Sequence, residues 1–302
     1  MLIDNYKGVF SVEFLQQIIN GLSLGSIYAL IALGYTMVYG IIKLINFAHG
    51  DIYMLGAFIG FYVATRLNLS FFPTLIIAML GSMVIGILVE KIAYKPLRKS
   101  PKIALLITAI GVSLFLENGT RFIVGASPKT FPQLINNKKI FIGPLQISTI
   151  QLLTFAVSVV LVILLTFIVN KTKSGKAMRA ASFDMEAASL MGINVDNTIS
   201  LTFALGSALA GAAGVLVALS WITIEPYMGM MPGIKAFVAA VLGGIGSIPG
   251  ALFGGLFMGI AETLTKAYIS TRLSDAIAFG ILIIILIIKP SGLLGRKTVE
   301  KV

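Results

Sequence analysis

The run Ile150-Gln-Leu-Leu-Thr-Phe-Ala-Val-Ser-Val-Val-Leu-Val-Ile-Leu-Leu-Thr-Phe-Ile-Val169 decides the fold class. It carries no charge and matches the ~20 apolar residues with which a helix crosses a bilayer core while pairing its own backbone polar groups. Runs of the same kind recur at about 13–40, 48–66, 72–94, 103–123, 147–169, 198–222, 232–267 and 274–289. The stretch 232–267 is too long for one span. It is interrupted at Gly243-Gly-Ile-Gly-Ser-Ile-Pro-Gly250 and reads as two helices of about 15–18 residues around that break. The expectation is an all-α polytopic membrane protein, a single transmembrane domain over 1–302 with roughly eight to nine transmembrane helices. A barrel would instead show ~10-residue segments of alternating polarity.

Composition agrees. Hydrophobic residues make up 57% of the 302 and charged residues only 12%, whereas a soluble domain carries about a quarter. Mean hydropathy is +0.98. The loops are too short to bury a core of their own. No secretory cleavage signal is present, and the first apolar run reads as a retained span. Cysteine is absent, which excludes disulfides and thiolate metal sites. The one histidine, His49, cannot build a zinc site without several carboxylate partners, so neither a metal nor another cofactor is expected. The net charge of +11 reads as basic cytoplasmic loops beside anionic lipid rather than as a nucleic-acid surface.

Lysine and arginine set the orientation. The link after the third span holds Lys91, Lys95, Arg98, Lys99 and Lys102. The link after the fifth holds Lys171, Lys173, Lys176 and Arg179, and the tail holds Lys289, Arg296, Lys297 and Lys301. All three are expected in the cytoplasm, which puts the N-terminus and the loop 124–146 outside and the C-terminus inside. Arg121, Lys129, Lys138 and Lys139 in the outer loop run against this rule. The parity closes only if 232–267 crosses twice. The outer loop reads as either a short hairpin around Gly143-Pro144 or an irregular cap.

No strong repeat is visible, but one apolar segment in each half is broken: 41–51 early and 243–250 late. Paired broken helices point to a translocation pathway. The candidate residues are Asn46, His49 and Asp51 in the first break, and Gly243, Gly244, Gly246 and Pro249 in the second. Charged groups near a membrane are costly unless paired or hydrated. Asn46, His49 and Asp51 therefore either line a cavity or form a cytoplasmic turn in which Asp51 caps the next helix. A Lys43–Asp51 ion pair is also open. Glycines four apart (Gly21 and Gly25, Gly56 and Gly60, Gly250 and Gly254, Gly255 and Gly259) allow close helix packing, within the chain or between subunits. Glu262 and Lys266, at i and i+4, are placed to pair. Glu117 lies toward the outer end of the fourth span, and Glu225 at the outer mouth.

Within the cytoplasmic loop 171–197, Ser182-Phe-Asp-Met-Glu-Ala-Ala-Ser-Leu-Met-Gly192 reads as a short amphipathic helix. Ser182 would cap it, Asp184 and Glu186 would suit its first turn, and Gly192 would end it in a left-handed conformation. Phe183, Ala187, Leu190 and Met191 share one face, which docks either in a protein groove or on lipid. Ser174-Gly-Lys-Ala177 lacks the leading glycine and the Ser or Thr of a phosphate loop. Energy coupling, if any, must then come from a partner.

Three blocks, in order, resemble the permease family of branched-chain amino acid ABC transporters, specifically its LivH-type subunit. They are Asn20–Gly40 followed by Ile45-Asn-Phe-Ala-His-Gly-Asp51; Gly175–Ala180 followed by Glu186-Ala-Ala188 and Gly192-Ile-Asn194; and Gly243–Gly250. The resemblance covers nearly the whole chain. It implies a cytoplasmic coupling helix that docks in a groove of an ATPase subunit, with Glu186, Ala187, Ala188 and Gly192 at the matching positions. It also implies a homologous second permease subunit, two ATPase subunits, an extracytoplasmic solute-binding protein, and a place in the bacterial plasma (inner) membrane. The chain would be no enzyme itself. Its substrates would be branched-chain amino acids or related small polar solutes, moved by alternating access. No Leu-Pro follows the Glu-Ala-Ala segment, so contacts beyond Gly192 do not transfer. The competing reading is an ion-coupled secondary transporter depending on Glu117 or Glu262. An integral-membrane enzyme would need a catalytic cluster that the sequence does not offer.

Overall fold

Val195–Trp221, the helix labelled α8 below, is the axis of the molecule. Of its most apolar 18 residues 89% are buried, although the helix has the length and apolarity of a membrane span. The computed structural model describes residues 2–98 and 100–295, with side chains from Val12 onward. Of the tail and link cations, Lys99, Arg296, Lys297 and Lys301 lie outside the described residues. In chain order the helices are α1 Leu2–Ile42, α2 His49–Arg66, α3 Phe71–Val89, α4 Lys102–Val124, α5 Thr149–Lys171, α6 Lys173–Phe183, α7 Met185–Leu190, α8 Val195–Trp221, α9 Met230–Gly243, α10 Ile248–Tyr268 and α11 Ser274–Ile288. Six of these regions are long and apolar enough to cross a bilayer, while α9 and α11 are apolar but shorter. α3 continues into a π turn, Glu90–Tyr94, and a 3₁₀ turn, Lys95–Leu97.

Four short strands complete the described residues. β2 (Lys139–Ile142) and β3 (Leu145–Ser148) form an antiparallel hairpin around Gly143-Pro144, which resolves the outer loop in favour of a hairpin. β1 (Lys129–Thr130) pairs with β4 (Thr223–Ile224) and ties the same loop to the end of α8. Ser148 closes the loop with a capping box onto α5, the reciprocal arrangement that satisfies two orphan amides of a helix start.

Small residues set the helix packing. α1 and α10 run antiparallel with their backbones in contact: Gly21 faces Gly259 and Ile260, Gly25 faces Gly255 and Leu256, and Gly255 faces Ala29. The four-residue glycine spacing thus serves packing within the chain at this seam. α8 lies antiparallel to α3, with Gly86 against Ser207 and Gly211 against Ser82, and parallel to α2, with Gly211 against Gly56 and Val215 against Gly60. The outer helices are lipid-like on one side. α4 buries only Leu105, Ala109, Glu117 and Thr120 and exposes Ile103, Ile107, Leu114 and Phe115.

The contacts relate the two halves of the chain. α3 packs antiparallel on α8 as α10 packs antiparallel on α1, and α2 accompanies α8 as α9 accompanies α1. Because α1 and α8 run in opposite directions, the relation is inverted. Ala57-Phe58 follows Gly50 at the same distance at which Ala236-Phe237 follows Gly229. In this arrangement the counterpart of the early break, 43–48, is the segment 222–229 ahead of α9. The late break, 244–247, is the turn between α9 and α10, the counterpart of the turn between α2 and α3. Glycine density marked the late break, whereas 222–229 holds a single glycine.

Candidate functional site

The first break doubles back into the bundle. α1 ends at Ile42, yet the His49 ring that opens α2 lies against Gly34, eight residues earlier in α1, about 12 Å back at helical rise. Residues 43–48 therefore run back along α1, and α2 starts inside the bundle. Gly34 leaves room for the His49 ring because it lacks a β-carbon. Tyr35 meets that ring edge-on at 4.9 Å and Phe237 of α9 at 5.9 Å. Asn46 (2% exposed), His49 (2%) and Asp51 (1%) are all buried. Asn46 Oδ1 accepts a hydrogen bond from the Tyr94 hydroxyl at 2.7 Å. Asp51 faces Ser113 and Glu117 of α4, and Glu117 is buried as well.

Two local expectations fail here. Asp51 does not cap α2; the capping position is Ala48, with no side-chain bond, and Asp51 lies in the first helical turn. Nor does Lys43 pair with Asp51. Its Nζ donates to the Gly40 carbonyl at 3.1 Å, because 43–48 carries the chain away before α2 begins.

The second break sits at the end where α1 finishes. Gly244 (φ +104°) and Gly246 (φ +94°) adopt backbone conformations reserved for glycine. Ser247 Oγ accepts from the Gly250 amide at 3.2 Å, and Pro249 occupies the first turn of α10, where its missing N–H costs nothing. A β-carbon on Gly40 would lie 3.8 Å from Gly246 Cα, so the second break lies against the last turn of α1. Leu293 N and Leu294 N donate to the Leu242 and Gly243 carbonyls at 2.8 and 2.9 Å. The end of the described chain thereby satisfies the last carbonyls of α9.

In the loop 171–197 the chain forms two helices, not one. Asp184 breaks them apart. Its backbone is extended and its carboxylate accepts from the Glu186 and Ala187 amides at 2.9 Å each. The cap of α7 is therefore Asp184 rather than Ser182, whose hydroxyl donates to the Arg179 carbonyl within α6. An aspartate followed by two free amides outcompetes a serine that can bond back into its own helix. Gly192 ends the turn at φ +83°. The Ile193 amide donates to the Ala188 carbonyl at 3.1 Å, the closing bond of a left-handed C-cap. Ala188 is buried, Glu186 and Ala187 are exposed, and Phe183, Leu190 and Met191 stand 91%, 88% and 84% exposed. Phe183 ends α6 and Leu190 ends α7, so the break at Asp184 divides the single apolar face expected from the sequence.

Two ion networks complete the polar framework. Glu262 and Lys266 pair at 2.6 Å as their spacing predicts. The same carboxylate also accepts from Lys235 at 2.9 Å and from the Tyr28 hydroxyl at 2.7 Å, and Lys235 reaches Asp275 at 2.6 Å. Lys266 lies 5.9 Å above the Trp221 ring. At the opposite end, Asp196 in the first turn of α8 pairs with Lys95 at 2.8 Å and Arg98 at 2.6 Å. Arg98 also pairs with Glu90, whose other oxygen accepts from Ser200 Oγ at 2.6 Å. Sequence reasoning singled out neither Lys235 nor Glu90. A lysine in the middle of an apolar run was the available signal for the first.

Comparison with known proteins fits this picture. Residues 17–286 match the family model for the branched-chain amino acid transport system / permease component. The high-affinity branched-chain amino acid transport system permease protein LivH of Escherichia coli K12 is 46% identical, over 96% of this chain and 98% of the relative. BraD of Pseudomonas aeruginosa, described in the same words, is 44% identical with the same coverage. Among solved structures, PsaBC from Streptococcus pneumoniae in complex with Fab superposes with a TM-score of 0.50 at 16% identity, covering 96% of this chain and 97% of that one, a likeness of fold alone. Matched over most of its length, the chain belongs to the family of permease components of branched-chain amino acid transport systems.

Proposed function

We propose that the chain is one of two membrane-spanning subunits of an ATP-driven importer and moves branched-chain amino acids inward by alternating access. The observation that carries this reading is the full-length likeness to LivH and BraD at 46% and 44% identity. The partners are a homologous second permease subunit, two cytoplasmic ATPase subunits and an extracytoplasmic solute-binding protein. Lys91, Lys95 and Arg98 gather at the end of the bundle that also holds α6 and α7, and the positive-inside rule makes that end cytoplasmic. The N-terminus is then outside and the C-terminus inside, with nine crossings once α9 and α10 are counted separately.

α7 is the docking element. Leu190 and Met191, with Phe183 from the end of α6, supply its apolar contact, Ala188 seats it on the bundle, and Glu186 and Gly192 shape its two ends. When ATP closes the ATPase dimer, α7 moves with it and the segments around 43–48 and 243–250 re-gate the pathway. Asn46, His49 and Asp51 hold the first segment shut from within, and Gly243, Gly244, Gly246 and Pro249 form the turn against it. The test is to co-express the chain with the neighbouring transport genes after replacing Glu186 and Gly192. Loss of ATPase co-purification and uptake is expected; unchanged association and uptake would refute the docking role.

One observation favours ion coupling instead: the buried carboxyl pair Asp51 and Glu117. Glu262 is a weaker candidate, since both its oxygens already hold donors. Uptake driven by a proton gradient in ATP-free vesicles, and abolished by Glu117→Gln, would establish that reading in place of the importer.

A further inference from the structure

Resting on the reading of α7 as the ATPase-docking helix, we propose that Asp196, Arg98, Glu90 and Tyr94 form a relay that transmits the movement of α7 to the α1–α2 break within one subunit. They are positioning residues, and none touches the transported solute.

The contacts are continuous. α7 is joined to α8 by the tight corner at Gly192, closed by the bond from the Ile193 amide to the Ala188 carbonyl. No flexible linker separates the docking surface from the first turn of α8. That turn holds Asp196, which Lys95 and Arg98 grip from the end of α3 at 2.8 and 2.6 Å. Arg98 passes the link to Glu90, which also takes the hydroxyl of Ser200, one turn further into α8. Glu90 opens the π turn and Tyr94 closes it, and both are fully buried. Tyr94 packs its ring on Phe203 of α8 at 5.5 Å and donates its hydroxyl to Asn46 at 2.7 Å. Asn46 stands three residues before the first residue of α2. The chain of contacts thus runs from the cytoplasmic helix to the segment that sets where α2 starts.

The energetics favour transmission over slippage. Glu90 is wholly buried and Arg98 only 20% exposed, and separating such a pair strands a charge away from water. A displacement of the α8 start therefore drags the end of α3 along. π turns are strained departures from regular helix and recur at functional sites. Here the turn supplies the two buried groups that face α8 and residue 46. A relay and a structural staple differ in what they do to the ratio of solute moved to ATP hydrolysed.

The complete transporter is reconstituted in vesicles with its binding protein loaded with leucine. Wild type, Tyr94→Phe, Asp196→Asn and the double variant are compared for ATP hydrolysed and leucine moved. Tyr94→Phe removes only a hydroxyl, and the Asp196 side chain is half exposed, so both variants should assemble. Hydrolysis is expected within about twofold of wild type, while leucine moved per ATP falls about fivefold in each single variant and no further in the double. Asp196→Glu, which restores the charge, should recover the ratio, as a staple whose loss merely loosens the fold would not show in that ratio at all. A wild-type ratio in both singles, or effects that multiply in the double, overturns the relay. A wild-type chain that binds no ATPase subunit overturns the docking reading and the relay together.

Discussion

The backbone of Gly50, in the first turn of α2, lies directly against the backbone of Gly229, the residue ahead of α9. A β-carbon on Gly50 would sit 2.5 Å from the Gly229 carbonyl oxygen, and one on Gly229 would collide with the Gly50 carbonyl in turn. Two helix starts therefore meet inside the bundle, one reached by 43–48 and the other by 222–229, and both helices run away from that point. Gly229→Ala forces the two backbones apart, because neither obstructing atom belongs to a side chain that can swing away. The expected cost is about 1–3 kcal/mol, the range for overpacking a filled interior. It should register as a lower melting temperature of the purified complex, with transport falling alongside. An unchanged melting temperature would mean that the two starts are not in contact.

Lys235 is the cation on which the other buried network turns. It is 6% exposed and bridges Glu262 of α10 and Asp275 of α11. Lys235→Met keeps much of the volume and removes the charge, leaving Glu262 with Lys266 and Tyr28 only. Breaking a buried pair from one side costs about 3 kcal/mol or more. Lys266→Met should cost about 1 kcal/mol or less, because Lys266 is a third exposed and its pairing is partly screened by solvent. Thermal unfolding of the two variants side by side checks the order; equal losses would contradict it.

Gly192 offers a separable backbone test. Its φ is +83° and a β-carbon there would meet nothing within 4 Å. Any defect of Gly192→Val thus comes from the left-handed conformation alone, about 1–2 kcal/mol for an ordinary residue. Asparagine tolerates that region better. The melting temperature of the permease should fall by no more than about a few degrees with valine and by less with asparagine. ATPase co-purification should fall in the order Gly192, Asn, Val; a flat series would free the α7–α8 corner of any part in docking.

The polytopic helical class, the left-handed Gly192 and the Glu262–Lys266 pair could all be read from the sequence. Each is encoded locally, by unbroken apolar runs, by a glycine at a helix end, or by residues one turn apart. What escaped depends on tertiary contact. Tyr94 and Asn46 are brought together only because 43–48 doubles back. Lys235 finds its acids on two other helices. The segment 222–229 has one glycine and gave no sign of leading into the bundle. The π turn at Glu90–Tyr94 leaves apolar periodicity almost untouched, so a pattern search passes over it. The cap of α7 was missed for a smaller reason: Ser182 and Asp184 both suit the position, and only the extended backbone at Asp184 (φ −156°, ψ 114°) decides between them.

The exposed apolar pair at the α6–α7 corner separates folding from assembly most cleanly. Phe183 and Leu190 are 91% and 88% exposed and contribute almost no buried area within the subunit. Phe183→Ser with Leu190→Ser should therefore leave the melting temperature of the isolated permease unchanged, or raise it slightly by improving solubility. In the assembled transporter the same two side chains would be buried against the ATPase. Apolar anchors of that kind contribute about 1–2 kcal/mol each, so the pair should weaken ATPase association by at least about tenfold, read as recovered ATPase per permease on a tagged column. A lipid-resting helix would give a different result: association would hold, and the variant would instead release α7 from vesicles lacking any ATPase, measurable as greater protease access at Lys173 and Lys176.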